Sequence, residues 1–160
     1  LLSLTACGPR AASPHEDRQQ AIEGLTLSQS VGGVPAWTLR SRLAQLREDE
    51  KTASLESPTM EFYCDGTAVS RVTARTGEIN TDTHDVILSS SVVLDSFDDH
   101  SILETDQMRY SSKRARFHTE SAVLVRRPGA VIRGEGMEAT PDLSEIRIFR
   151  QHSTITGNPR

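Results

Sequence analysis

Two stretches of this chain repeat each other at an interval of 31 residues, and a third follows them. Val86, Phe117 and Ile148 share that spacing, as do Leu88, Thr119 and Arg150, and Val93, Leu124 and Ile155. The same interval links Val72, Leu103 and Gly134, and Ala74, Thr105 and Gly136. A fixed period of this size marks one supersecondary unit stacked on itself. Within each copy the apolar residues alternate, as in Val86 and Leu88 or Ile146 and Ile148, which is the period of a strand. Each copy is therefore expected to be a strand pair with a turn, and the copies to build one layered structure. Val-, Ile- and Thr-rich segments between short turn signals give an all-β chain: a sandwich, a barrel or a jelly roll.

At 160 residues the chain makes one domain with tails. Strands are expected to begin at Ile22–Leu27, with a turn at Val31–Pro35. The segment Arg40–Lys51 is ambiguous. Leu39, Leu43 and Leu46 have helical spacing among good helix formers, so that in isolation it reads as a short helix. The repeat around it argues instead for a strand ending near Arg47. Asp65-Gly66, Pro128-Gly129 and Pro141-Asp142 punctuate the later strands. The expected division is residues 1–7 as a signal-peptide remnant, 8–21 as a linker, 22–156 as the β domain and 157–160 as a tail.

Composition and motif spacing exclude several functions. The net charge is −4 and aromatics make up 4%, so the basic stripe and stacking platforms of a nucleic-acid binder are missing. Asp99, His100 and Ser101 are adjacent, but neighbouring side chains in an extended segment point to opposite faces, which counts against a triad. His15, His84, His100, His118 and His152 include no pair at zinc-ligand spacing. The carboxylate-rich stretch Asp95–His100 lacks the glycine a calcium loop uses for its bend and reads as a solvated turn. Gly134-Glu135-Gly136 has no following glycine or helix, so a bulge or close backbone approach is expected rather than a phosphate loop. The expectation is a protein that is not an enzyme, with no catalytic residue, metal or cofactor.

The two cysteines sit in different contexts. Leu4-Thr5-Ala6-Cys7 follows Leu1, Leu2 and Ser3, like the end of an apolar signal segment before a cleavage point. The pattern resembles the lipobox of bacterial lipoproteins, which implies export and a lipid on Cys7. An ordinary clipped signal peptide is the alternative. The polar linker after it can span about 45 Å at ~3.4 Å per residue. No stretch reaches the roughly 20 apolar residues of a membrane span, so the lipid on Cys7 is the expected membrane contact. Cys64 reads as a strand-end residue, and no disulfide framework is expected.

Alternation selects the residues that face inward: Trp37, Leu39, Phe62, Val72, Val86, Leu88, Val92, Leu103, Phe117, Val123, Met137, Ile146 and Ile148. Pattern alone leaves two readings open, a packed core or an apolar groove, because the two have the same periodicity.

Several segments together resemble the LptC family. They are Gly24–Leu27, Trp37–Ala44, Leu55–Tyr63, Thr73–Ile79, Leu88–Val92, Leu103–Asp106 and Arg133–Met137, in this order and over about Ile22 to Ile155. The resemblance implies an open β-jellyroll whose apolar interior holds the acyl chains of lipid A. It implies a periplasmic component, held at the inner membrane, that takes lipopolysaccharide from an ABC transporter and passes it to the bridge protein LptA. The alternating set then becomes the groove. The last strand, around Ile146, Ile148 and Ile155, becomes the edge for the bridge protein, and the first, around Leu25 and Leu27, the edge for the transporter. Familiar members carry an N-terminal transmembrane helix, where this chain has the Cys7 pattern. An LptA-like soluble bridge segment and a structural β-scaffold lipoprotein without lipid cargo are the alternatives.

Overall fold

The computed structural model describes residues 19–154. Eleven strands follow one another: β1 Gln19–Val31, β2 Val34–Arg47, β3 Thr52–Glu56, β4 Thr59–Cys64, β5 Thr67–Thr73 and β6 Thr76–Asn80. They continue with β7 Val86–Ser96, β8 Ile102–Ser111, β9 Arg116–Arg127, β10 Ala130–Ala139 and β11 Ile146–Thr154. Every pairing is antiparallel. The ambiguous segment after Arg40 is strand as far as Arg47, because both its halves find partners. β1 starts at Gln19, three residues inside the stretch expected to be linker.

The pairing of β2 and β7 reveals the architecture. Trp37–Arg40 of β2 pairs with β4, whereas Leu43–Arg47 pairs with β3. Likewise Val86–Ile79 and Leu88–Gly77 join β7 to β6, whereas Leu94–Val72 joins its second half to β5. One strand thus serves two sheets, which requires it to bend between them. The bend continues from strand to strand. Register shifts fall between Ser89 and Val92, between Thr105 and Arg109, and between Glu135 and Met137. Positive φ values at Gly24 (65°), Ser57 (50°), Ser90 (67°), Ser91 (54°) and Gly136 (75°) lie along the same crease. The result is a sheet folded along a line across its strands, giving two facing layers that share every long strand: a β-jellyroll.

A crease costs ladder hydrogen bonds, and hydroxyl side chains replace them. Buried Ser41 sits where β2 changes partner. Its Oγ lies 2.7 Å from the Leu43 carbonyl oxygen and 2.8 Å from that of Glu56, and accepts the Glu56 N–H at 3.1 Å. At the β8–β9 gap the buried Thr105 hydroxyl donates to the Ala122 carbonyl at 2.9 Å, and Thr119 donates to Gln107 at 2.5 Å. Backbone groups freed inside a protein must find partners, and these three residues supply them.

The 31-residue repeat acquires a three-dimensional meaning and one correction. Val86, Tyr110, Phe117, Ala139 and Ile146 lie in one cross-strand column. The third counterpart of Val86 and Phe117 is therefore Ile146, not Ile148. In the column Val72, Leu94, Leu103, Val125, Ile132, the counterpart of Leu103 is Ile132, not Gly134. The cause is one turn. Leu94 reaches Leu103 across nine residues, but Val125 reaches Ile132 across seven, because the hairpin at Pro128-Gly129 is two residues shorter. A slip of two keeps every side chain on its own face, so the alternation survives.

Candidate functional site

The sequence-selected interior residues come together. Trp37 and Leu39 on β2, Phe62 on β4, Val72 on β5, Val86, Leu88 and Val92 on β7, Leu103 on β8, Phe117 and Val123 on β9 and Met137 on β10 form one cluster between the layers. None is more than 4% exposed, so in this conformation the interior is filled by its own side chains. The layers meet through aromatic edges: Phe62 to Phe117 at 5.3 Å, Trp37 to Tyr110 at 6.4 Å, and Phe62 to Tyr110 at 5.0 Å between ring centroids. Edge-to-face contact at these distances adds about 0.5–1.5 kcal/mol per pair beyond burial.

Alternation missed part of this interior. Met60, Ile79, Leu94, Met108, Tyr110 and Val125 are as buried as the residues it selected. Met60, Ile79, Leu94 and Val125 lie where a two-residue count in their strands reaches, whereas Met108 and Tyr110 face inward only because the β8 irregularity after Thr105 shifts the phase by one residue. Leu143 is different: it sits on the β10–β11 loop, where strand periodicity gives no signal, yet it is 1% exposed.

Ile146 and Ile148 are only partly buried, because they belong to the last strand and no further strand covers them among the described residues. With Val125, Arg127, Ile132 and Gln151 they line a pocket of about 220 Å³. That is below the ~300 Å³ at which small-molecule sites begin. The interior thus opens toward β11 only as a shallow recess. At the other end Leu25 and Leu27 pack half-buried against the core from β1. Among the described residues β1 pairs only with β2 and β11 only with β10, so both ends of the trough are sheet edges. Ile155 and Cys7 lie outside the described residues, as do most of the expected linker and the tail. Cys64 ends β4 as a free, exposed cysteine.

Two glycines let β11 lie close. A Cβ on Gly134 would stand 2.4 Å from Ile148 Cγ2 and 2.6 Å from the Arg150 carbonyl oxygen, and one on Gly136 would meet Phe149 at 2.8 Å. Gly136 occupies the β10 bulge at φ +75°. The bulge and close approach expected of this pair are both present.

Opposite the crease, three side-chain hydrogen bonds among the described residues cross the mouth of the folded sheet. Ser112 Oγ donates to Gln29 Oε1 at 2.7 Å, and Ser96 Oγ donates to the Asp142 carbonyl at 2.8 Å. Arg127 Nη2 donates to the Leu143 carbonyl at 3.3 Å. Burial works to raise the Asp142 carboxyl, but hydrogen bonds from Thr140 and Ser144 outweigh it and hold the group below its ordinary value. Burial, with a smaller contribution from Asp85, pushes the Tyr110 phenol up to about 12. Charge is uneven along the stack: residues 19–99 carry 13 acidic and 6 basic side chains, net −7, whereas 100–154 carry 7 and 9, net +2.

Among the described residues, two facing layers around a continuous apolar interior, with a sheet edge at each end, define a protein of the β-jellyroll class. The family model described as LptC, lipopolysaccharide-assembly, LptC-related, matches residues 6–156, and the chain belongs to that family. Membership implies involvement in lipopolysaccharide transport. The family is periplasmic and associated with the inner membrane. No curated protein matches the chain significantly.

Proposed function

We propose that this protein receives lipopolysaccharide from an inner-membrane ABC transporter, holds the lipid A acyl chains between its two layers and passes them to an LptA-like bridge protein. The observation that carries the reading is the unbroken apolar interior running from Trp37 on β2 to Ile146 and Ile148 on β11. Each buried CH₂ is worth about 0.8 kcal/mol, so such an interior holds acyl chains without any reaction. With its side chains in contact, the interior has to widen on loading. The β11 edge, with Ile146, Ile148 and the following Ile155, takes the bridge protein by strand addition, and the β1 edge, with Leu25 and Leu27, takes the transporter. Cys7 carries the lipid anchor, and the protein itself catalyses nothing and needs no cofactor.

A photo-crosslinking residue at Phe62, Leu88 or Phe117 is expected to trap lipopolysaccharide in cells. Absence of an adduct at all three positions in folded protein refutes the groove. The filled interior favours one other reading, a structural β scaffold without lipid cargo, and that same absence supports it. Deleting residues 146–160 is expected to abolish bridge binding and spare transporter binding; unchanged bridge binding refutes the edge assignment. Mass spectrometry of membrane fractions is expected to find Cys7 acylated, and a free thiol there refutes the anchor.

A further inference from the structure

We propose that the β10–β11 loop, residues 140–145, is a hinged lid over a lateral port into the interior, with Leu143 as its plug. The proposal rests on the acyl-chain reading above and adds a route: chains reach the interior from the side, through the mouth of the fold, and not only along its axis.

Connecting segments normally run over the surface and bury little. This one inserts a leucine that is 1% exposed, at a φ of +59° that a branched side chain adopts only under strain. The glycine turns of the molecule are built differently. Gly32-Gly33, Asp65-Gly66 and Pro128-Gly129 are tight, and no neighbouring atom lies within 4 Å of where a side chain on Gly32, Gly33, Gly66 or Gly129 would start. The loop at 140–145 therefore does more than reverse the chain.

The loop is stiff within itself and lightly held at its far side. Leu143 N–H donates to the Thr140 carbonyl at 3.0 Å, and Thr140 N–H to that of Glu145 at 3.0 Å. Asp142 Oδ1 accepts the Thr140 hydroxyl at 2.6 Å and both the N–H and the hydroxyl of Ser144, at 3.0 and 2.8 Å. These bonds stay intact if the loop swings as a unit about Thr140 and Glu145. Among the described residues two side-chain hydrogen bonds tie it to the opposite layer, Ser96 to the Asp142 carbonyl and Arg127 to the Leu143 carbonyl. Both end on main-chain oxygens that water can satisfy once the loop lifts. Arg127 and Ser144 also line the recess at β11, so withdrawing Leu143 joins that recess to the core.

The test uses the full chain with Cys7→Ser and Cys64→Ser, adding Leu143→Cys or, as an interior reference, Val86→Cys. Below the unfolding transition, Leu143→Cys is expected to react with a thiol reagent at least about 100-fold faster than Val86→Cys, at a rate independent of urea. Adding Ser96→Ala and Arg127→Gln raises that rate about tenfold further. Equal rates with equal urea dependence overturn the lid. If Leu143→Cys fails to fold, as judged by Trp37 emission, labelling of Ser96→Cys, the buried position bonded to the loop at Asp142, against Val86→Cys is held to the same criterion. Tetradecanoate below its micelle concentration is expected to speed labelling of Leu143→Cys about tenfold, and opening that ignores it overturns the port. Tetradecanoate binding read by Trp37 emission, without local opening, overturns the lid and leaves the groove; no binding by either readout overturns both.

Discussion

Tyr110 stands 5.0 Å from Phe62 and 5.2 Å from Phe117, ring to ring, and so binds both layers of the fold into one aromatic cluster. Phe62 belongs to the layer reached through β4, and Phe117 and Tyr110 to the layer reached through β9 and β8. The contact lies across the proposed lipid path.

Burial raises the phenol of Tyr110 to about 12, so the folded state holds its proton more tightly than the unfolded chain does. The stability this contributes is complete below the ordinary value of 10.0 and is lost as pH rises through the folded one. Absorbance titration is expected to show a tyrosine ionising near pH 12, and the melting temperature to fall between pH 10 and 12. Tyr110→Phe is expected to remove that part of the fall. Ionisation of Tyr110 at its ordinary pH in folded protein contradicts the packing.

Asp142 gives the opposite sign. Its folded value lies below the ordinary 3.8, so its contribution is present above that pH and lost as pH falls through the folded value. Arg127, Asp99, Arg116, Glu138, Glu145 and Arg147 are charged groups around this end of the molecule. Amide exchange at Leu143 is expected to gain an acid-dependent opening below about pH 4 that Asp142→Asn shows already at neutral pH. Identical exchange in both proteins at pH 7 refutes the role of the carboxylate in stiffening the loop.

Ser41→Ala removes the hydroxyl that serves the carbonyls of Leu43 and Glu56 and the Glu56 N–H at the crease. A buried polar group left without its partner costs about 1–3 kcal/mol. Urea unfolding is expected to show a loss in that range, with an unchanged slope. A loss below about 0.3 kcal/mol indicates that the backbone at the bend is satisfied in another way.

Gly134→Ala places a methyl group against the Arg150 carbonyl oxygen at 2.6 Å. That oxygen is main chain, so β11 has to move. The expected cost is about 1–3 kcal/mol, with amide protection lost across Ile146–Thr154 and retained in β7. Uniform protection in both strands refutes the close approach.

The sequence made the layering legible because a strand's two-residue period is printed directly in alternation such as Val86 and Leu88 or Leu103 and Thr105. For the segment after Arg40 it left helix and strand open, the repeat pointing to a strand ending near Arg47, and pairing with β3 and β4 decides it. The crease was not legible. It depends on Ser90 and Ser91 taking positive φ and on β2 changing partners at Ser41, and both are settled by tertiary pairing. Nor was Leu143, since a single apolar residue between Asp142 and Ser144 has no period to announce it. The third repeat misled for a physical reason: a two-residue shortening at Pro128-Gly129 preserves the face of every side chain while moving its partner.

The crease has one more consequence. Because each long strand crosses it, both layers hang from a common spine, and the ladder hydrogen bonds run parallel to that spine. Spreading the layers, as a book is opened, changes the angle at the spine and leaves the rungs along each cover paired. What resists lies on the inner pages: the apolar packing between the layers, the aromatic contacts of Tyr110 and the tethers at Gln29, Ser96 and Arg127. A molecule built this way can alter its bore without any strand leaving its neighbour.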